Sequence, residues 1–157
     1  MYKPLITRET AQQAVGCVRP LFERAVTTSD FGDSGCAHVV VMDPYARPGL
    51  ITFEQAVLYE ESFNRERWDA DYAMYARAKA NVSWRTGRDS YGLAVTAPQL
   101  LESGDAVLGG AVCVDGIVVG VSGMYNWYDE ALAASVAWFL RGILKGRLSD
   151  YDKPFIA

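Results

Sequence analysis

The stretch from Ala106 to Arg147 constrains this chain more than any other, because it reads as a hairpin running straight into a helix. The segment VLGGAVCV is followed by Asp115-Gly116 and then by IVVGVSG. Asp-Gly between two β-branched runs is the strongest short-range hairpin signal, since a type I′ turn needs φ > 0 at both central residues. Both runs are apolar almost without interruption. They therefore suit a sheet covered on both faces, or covered on one face and closed by an oligomer on the other. After Ser122-Gly123 the period changes, and Leu132, Val136, Phe139, Leu140 and Ile143 recur at helical spacing. Asp129 is placed to cap that helix or to complement its positive end.

The remainder supplies two more helices and a second hairpin. Thr7 to about Val26 keeps Ala11, Ala14, Val15, Val18, Leu21, Phe22, Ala25 and Val26 on one helical face, with Pro20 marking a kink or break near Arg19. Ala37 to Asp43 reads as a strand, PYARPG as a loop, and Gln55 to Ser62 as a second strand. Trp68 to Thr86 reads as the middle helix. Its stripe of Ala73, Ala76, Ala80 and Ser83 lets it lie close on a sheet, and Gly87 ends it. The order α-β-β-α-β-β-α predicts an α+β fold in one domain over residues 1–157, an antiparallel sheet of two hairpins flanked by three long helices. The tail from Ser149 to Ala157 is either loose or docked on a neighbour through Phe155 and Ile156.

Composition narrows the function classes. With 157 residues, 50% of them hydrophobic, the chain can bury a real core. Nineteen acidic against fifteen basic residues, with no Lys/Arg block, argue against nucleic acid and acidic membranes as partners. The start MYKPLITRET lacks a signal-peptide core and no apolar run is long enough to span a bilayer, so a cytoplasmic protein is the expectation. Cys17, Cys36 and Cys113 form no C-x-x-C pair and there is a single histidine, so no metal site is expected.

The residues from about Leu58 to Leu144 resemble the GlcG/HbpS-like "haem-degrading" family, which includes the PduO C-terminal domain. The resemblance is carried in order by Arg77-Ala78-Lys79-Ala80, Gly109-Gly110, Asp115-Gly116, Val119-Gly120-Val121-Ser122-Gly123 and Asp129. Lys79, Asn81, Arg85, Ser90 and Tyr91 match the K-x-N…R…S-Y spacing of an uncharacterised branch. The resemblance implies a profilin-like α/β fold and homo-oligomers, with family roles ranging over haem binding or degradation, cobalamin metabolism and glycolate oxidation. The chain departs from the pattern in PYARPGLITFE, where family members turn tightly. It also has Leu108 and Glu130 where the closer branch carries histidines. Those losses weaken a histidine-dependent haem or metal role.

Each candidate residue has a plain structural use beside its functional one. His38 is the only imidazole available for haem ligation, and a lone strand histidine is more often a hydrogen-bonded core or surface residue. Lys79 can meet a carboxylate or propionate in a pocket; more commonly such a lysine snorkels or pairs with the acidic start of another helix. Arg85 and Arg88 can bind carboxylates or complement a helix C-terminus. Gly109 and Gly110 allow close approach of a ligand or of backbone. Tyr125, Trp127 and Tyr128, expected in a loop, suit a subunit interface or the wall of an aromatic pocket. Ser83, Ser90 and Ser122 have no His–Asp partners in the sequence, and no complete catalytic constellation is visible.

Three readings follow. The leading one is a homo-oligomer binding a small acidic organic molecule through Lys79, Arg85, Gly109, Gly110 and Asp129. The second is a haem- or tetrapyrrole-binding or -degrading protein, and the third an accessory protein-interaction module.

Overall fold

The computed structural model describes residues 4–149; the tail residues Phe155 and Ile156 lie outside that range. Helix α1 (Arg8–Thr27) starts at a capping box in which Thr7 and Thr10 satisfy each other's backbone N–H groups. It passes through Pro20 without ending, because Gly16, whose carbonyl loses its partner at Pro20, lies on the exposed side of the helix. Strand β1 (Ala37–Met42) is followed by a single helical turn, α2 (Phe53–Ala56), and by β2 (Val57–Phe63). The second strand thus begins two residues later than the apolar pattern suggested. Thr52 and Gln55 form a capping box, and residues 53–56 coil before the chain extends.

Helix α3 (Tyr72–Thr86) starts at Asp71, whose carboxylate accepts from Met74 N, and ends at Gly87 with φ +69°. Trp68 precedes it, after a short 3₁₀ turn at Arg65–Arg67. A short α4 (Leu93–Thr96) leads to β3 (Ala111–Val114), β4 (Ile117–Ser122) and α5 (Asn126–Leu148). Asp115 and Gly116 have φ +49° and +79°, the turn expected of Asp-Gly. Helix α5 begins at Asn126, so Tyr125 is its N-cap residue and Trp127 and Tyr128 lie in its first turn rather than in a loop. Asp129 therefore stands one turn inside the helix.

The fold is α+β. Four antiparallel strands lie in the order β2-β1-β4-β3, with α1 and α5 on one face and α3 on the other. Val39, Val41, Val119 and Val121 pack toward α1 and α5, while Val40, Met42 and Val118 pack toward α3. Every residue of β1 and β4 is buried, which explains their unbroken apolar runs. Helix α3 lies so close that a Cβ at Gly120 would stand 2.7 Å from the Ala76 carbonyl oxygen and 2.9 Å from Ala80 Cβ. Ala76, Ala80 and Ser83 of the predicted stripe are fully buried there. Among the described residues, no helix is long and apolar enough to cross a membrane.

Candidate functional site

The N-terminal half of α3 divides its side of the sheet into two clefts. Tyr72, Tyr75 and Lys79 face one, toward the β4–α5 turn; Ala73 and Arg77 face the other, toward β2.

The first cleft, of about 380 Å³, has the Lys79–Asp129 ion pair at its base. Lys79 Nζ donates to Asp129 Oδ2 at 2.9 Å and to the Val121 carbonyl at 3.2 Å. Asp129 Oδ1 accepts from Met124 N at 2.8 Å. The two side chains are only 2% and 1% exposed. Burial pushes the Asp129 carboxyl up to about 6; Lys79 and the backbone N–H groups of Met124 and Gly123 oppose that rise. Tight backbone makes the room. Gly110 has φ +129°, and a Cβ there would stand 2.9 Å from Lys79 Nζ; Gly123 has φ +133°, and its Cβ would strike the Cys36 carbonyl oxygen at 2.2 Å. Hydrogen bonds of Tyr125 N to Phe31 O (2.9 Å) and of Tyr125 Oη to Asp33 (3.0 Å) tie the mouth to the loop after α1. Tyr72, Tyr75, Leu108, Ser122 and Asn126 complete the walls.

The sequence candidates thus separate. Lys79, Asp129 and Gly110 meet in one place, and Lys79 makes the pairing with the acidic start of another helix that was one of its two readings. Gly109 packs on the Tyr91 ring beside them. Arg85 does not reach this cleft: Asp105 holds its guanidinium, and Glu102 stands at 3.2 Å. Arg88 lines a separate depression of about 470 Å³ with Asp89, Tyr91 and Glu130. Tyr125 and Trp127 are exposed and stacked at 5.2 Å. Tyr128 turns inward and meets Phe31 edge-on at 4.8 Å.

The second cleft, of about 690 Å³, is lined by His38, Glu60, Trp68 and the charged side chains of Arg65, Asp69, Asp71 and Arg77. The sheet register sets His38 between Ser62 of β2 and Ser122 of β4. Its Nε2 lies 2.8 Å from Glu60 Oε1 and its Nδ1 2.7 Å from Ser62 Oγ. Arg77 grips Glu60 with Nε (3.2 Å) and Nη2 (2.5 Å). Burial holds the imidazole below its usual value despite the Glu60 hydrogen bond. Burial alone would raise Glu60, but the hydrogen bonds from Arg77 and His38 outweigh it and keep the carboxyl low. The imidazole is accordingly neutral at pH 7 and Glu60 ionised. This assigns the ring proton to Nε2, donating to Glu60, and leaves Nδ1 to accept from the Ser62 hydroxyl. Both nitrogens are engaged, so the residues here do not fit axial ligation of haem by His38. Glu60 and Ser62 carried no functional signal in the sequence, and Arg77 entered only as part of the family resemblance. The alternation of β2 and the β1–β2 register bring the first two to His38, and α3 brings Arg77 to Glu60.

No family model and no curated protein sequence matches the chain. Its fold is that of several solved structures. The Ybr137w protein is 16% identical with a TM-score of 0.60, covering 91% of this chain and 80% of that one. The Klebsiella pneumoniae protein ORFY, of the DUF336 family model, is 19% identical at a TM-score of 0.54, covering 90% and 97%. HbpS is 22% identical at a TM-score of 0.53, covering 88% and 92%. The chain therefore has the α+β fold of the HbpS and DUF336 proteins over about nine-tenths of its length, and at these identities the likeness is one of fold.

Proposed function

We propose that this chain is a small-molecule-binding protein that seats a small organic carboxylate in the Lys79 cleft and works as a homo-oligomer. One observation carries the reading: a buried lysine at the base of a cleft, with one of its three N–H donors unmatched by any acceptor among the described residues. A buried ion pair is a poor stabiliser compared with apolar packing, so its retention beneath an open cleft favours a binding role. The Asp129 carboxyl, raised to about 6, takes a proton readily as an incoming carboxylate claims the Lys79 charge. Binding is then coupled to proton uptake and weakens as pH rises through about 6. Tyr72, Tyr75 and Tyr125 offer flat walls to the organic part of the ligand. The exposed Tyr125–Trp127 stack supports the oligomeric part of the reading.

Calorimetric titration with benzoate, beside its uncharged analogue benzamide, tests this. Benzoate is expected to bind saturably, one per chain, at least about 10-fold tighter at about pH 5 than at about pH 8, with Asp129→Asn flattening that dependence. Equal binding of the two probes, or none, would overturn the assignment. Haemin titration followed by absorbance separates the tetrapyrrole reading, which would require a saturable one-to-one shift that disappears in His38→Ala.

A further inference from the structure

We propose that Ser62, His38 and Glu60 form a hydroxyl–imidazole–carboxylate relay that makes Ser62, partly exposed on the edge strand β2, a nucleophile toward small carboxylic esters. This site is separate from the Lys79 cleft: it draws on β1 and β2 and on the opposite edge of α3, and it stands or falls by itself.

The relay has the three parts that activate a serine. Ser62 Oγ is in hydrogen-bond contact with a neutral imidazole nitrogen at 2.7 Å. The other nitrogen is oriented by a carboxylate at 2.8 Å, and that carboxylate is locked by a two-point contact with Arg77. Chain order and ring orientation differ among such relays, and geometry defines them. Burial suits the roles. His38 is 4% exposed, so its tautomer is sheltered, whereas Ser62 is partly exposed on the edge strand of the sheet. Arg65 packs over the Trp68 ring at 4.9 Å in the neighbouring cleft, where Asp69 and Asp71 also stand, so the cleft carries charge of both signs.

In the reaction the Ser62 O–H bond breaks and its proton passes to His38 Nδ1 as Oγ bonds the ester carbonyl carbon. Collapse breaks the ester C–O bond, and the departing alcohol takes the proton from Nδ1. Water then repeats both steps on the acyl-serine, releasing a carboxylic acid and restoring the hydroxyl. Ser62 and His38 are catalytic in this scheme, and Glu60 and Arg77 position the imidazole.

The test is labelling of the full chain with a fluorophosphonate, which phosphonylates activated serine hydroxyls, beside hydrolysis of 4-nitrophenyl acetate. The expected result is an adduct on the Ser62 peptide by mass spectrometry, with turnover of the ester. Hydrolysis should fall by about 100-fold or more in Ser62→Ala and in His38→Gln, and less in Glu60→Gln. Circular dichroism and melting confirm that each variant is folded. Labelling elsewhere or nowhere, or hydrolysis that survives Ser62→Ala in a folded protein, would overturn the proposal.

Discussion

Two clefts flank the same helix and handle charge in opposite ways. In the Lys79 cleft both partners of an ion pair are almost wholly buried, at 2% and 1% side-chain exposure. In the His38 cleft the charged partners stay near the surface, with Glu60 and Arg77 25% and 45% exposed, and only the imidazole on the other side of Glu60 is buried. A buried pair carries a large desolvation cost that each partner offsets for the other, so removing one leaves an uncompensated charge. A half-exposed pair is screened and contributes little to stability, but it can still fix the orientation and protonation of a buried neighbour. Stability should therefore be sensitive at the first cleft and imidazole chemistry at the second.

The largest effect expected from this contrast is at Lys79. Lys79→Met should cost about 3–5 kcal/mol in urea unfolding, and adding Asp129→Asn should recover a good part of it by removing the stranded charge. A single-mutant loss under about 1 kcal/mol would break the contrast, since it would make the buried pair energetically equivalent to a surface one.

Titration sharpens the comparison because the two clefts respond to pH with opposite sign. Asp129 is raised from 3.8 to about 6, so it binds its proton more tightly in the folded chain. Its contribution to stability is full below 3.8 and is lost as pH rises through about 6. His38 is lowered from 6.5, so its contribution is full above that value and is lost as pH falls through the lower folded value. A single histidine in the chain gives an unobstructed imidazole signal by NMR. That signal should titrate below 6.5, and lower still in Glu60→Gln, which removes the partner that favours the charged ring. Titration above 6.5, or indifference to Glu60→Gln, would deny Glu60 its positioning role.

The smallest effect separates Arg85 from both clefts. Arg85→Ala should cost about 1–2 kcal/mol by freeing the Asp105 and Glu102 contacts, and should leave benzoate affinity unchanged. A drop in affinity with unchanged stability would return Arg85 to the ligand site.

The candidate site was partly legible in the sequence. Lys79 and Asp129 stood out as a lysine beside a small-residue stripe and an acid near a helix start, and the structure joins them across fifty positions of chain. Gly110 drew notice as half of a glycine pair, and its positive φ and closeness to Lys79 Nζ give that pair a physical role. Arg85 was equally plausible by type, yet Asp105 claims it, and nothing in local spacing reveals which of several acids an arginine will meet. Glu60 and Ser62 were silent because a Glu-Glu-Ser run on an edge strand looks like ordinary surface, and Arg77 entered only as part of the family resemblance.

Local chemistry by itself determined the elements. Asp115-Gly116 sets the hairpin because both positions must turn left-handed, Ala76 and Ala80 let α3 approach Gly120, and the unbroken valine runs call for a sheet buried on both faces, by the chain itself or by an oligomer. Periodicity says which side of an element turns inward. It does not say what stands opposite, because strand register and helix placement are settled by packing between segments far apart in sequence. Only the tertiary structure decided that Lys79 would meet Asp129 rather than open water, and that His38 would stand between Glu60 and Ser62 rather than offer a free nitrogen. Each of those pairings exists because the β2-β1-β4-β3 sheet and the helix across it bring together groups from separate elements.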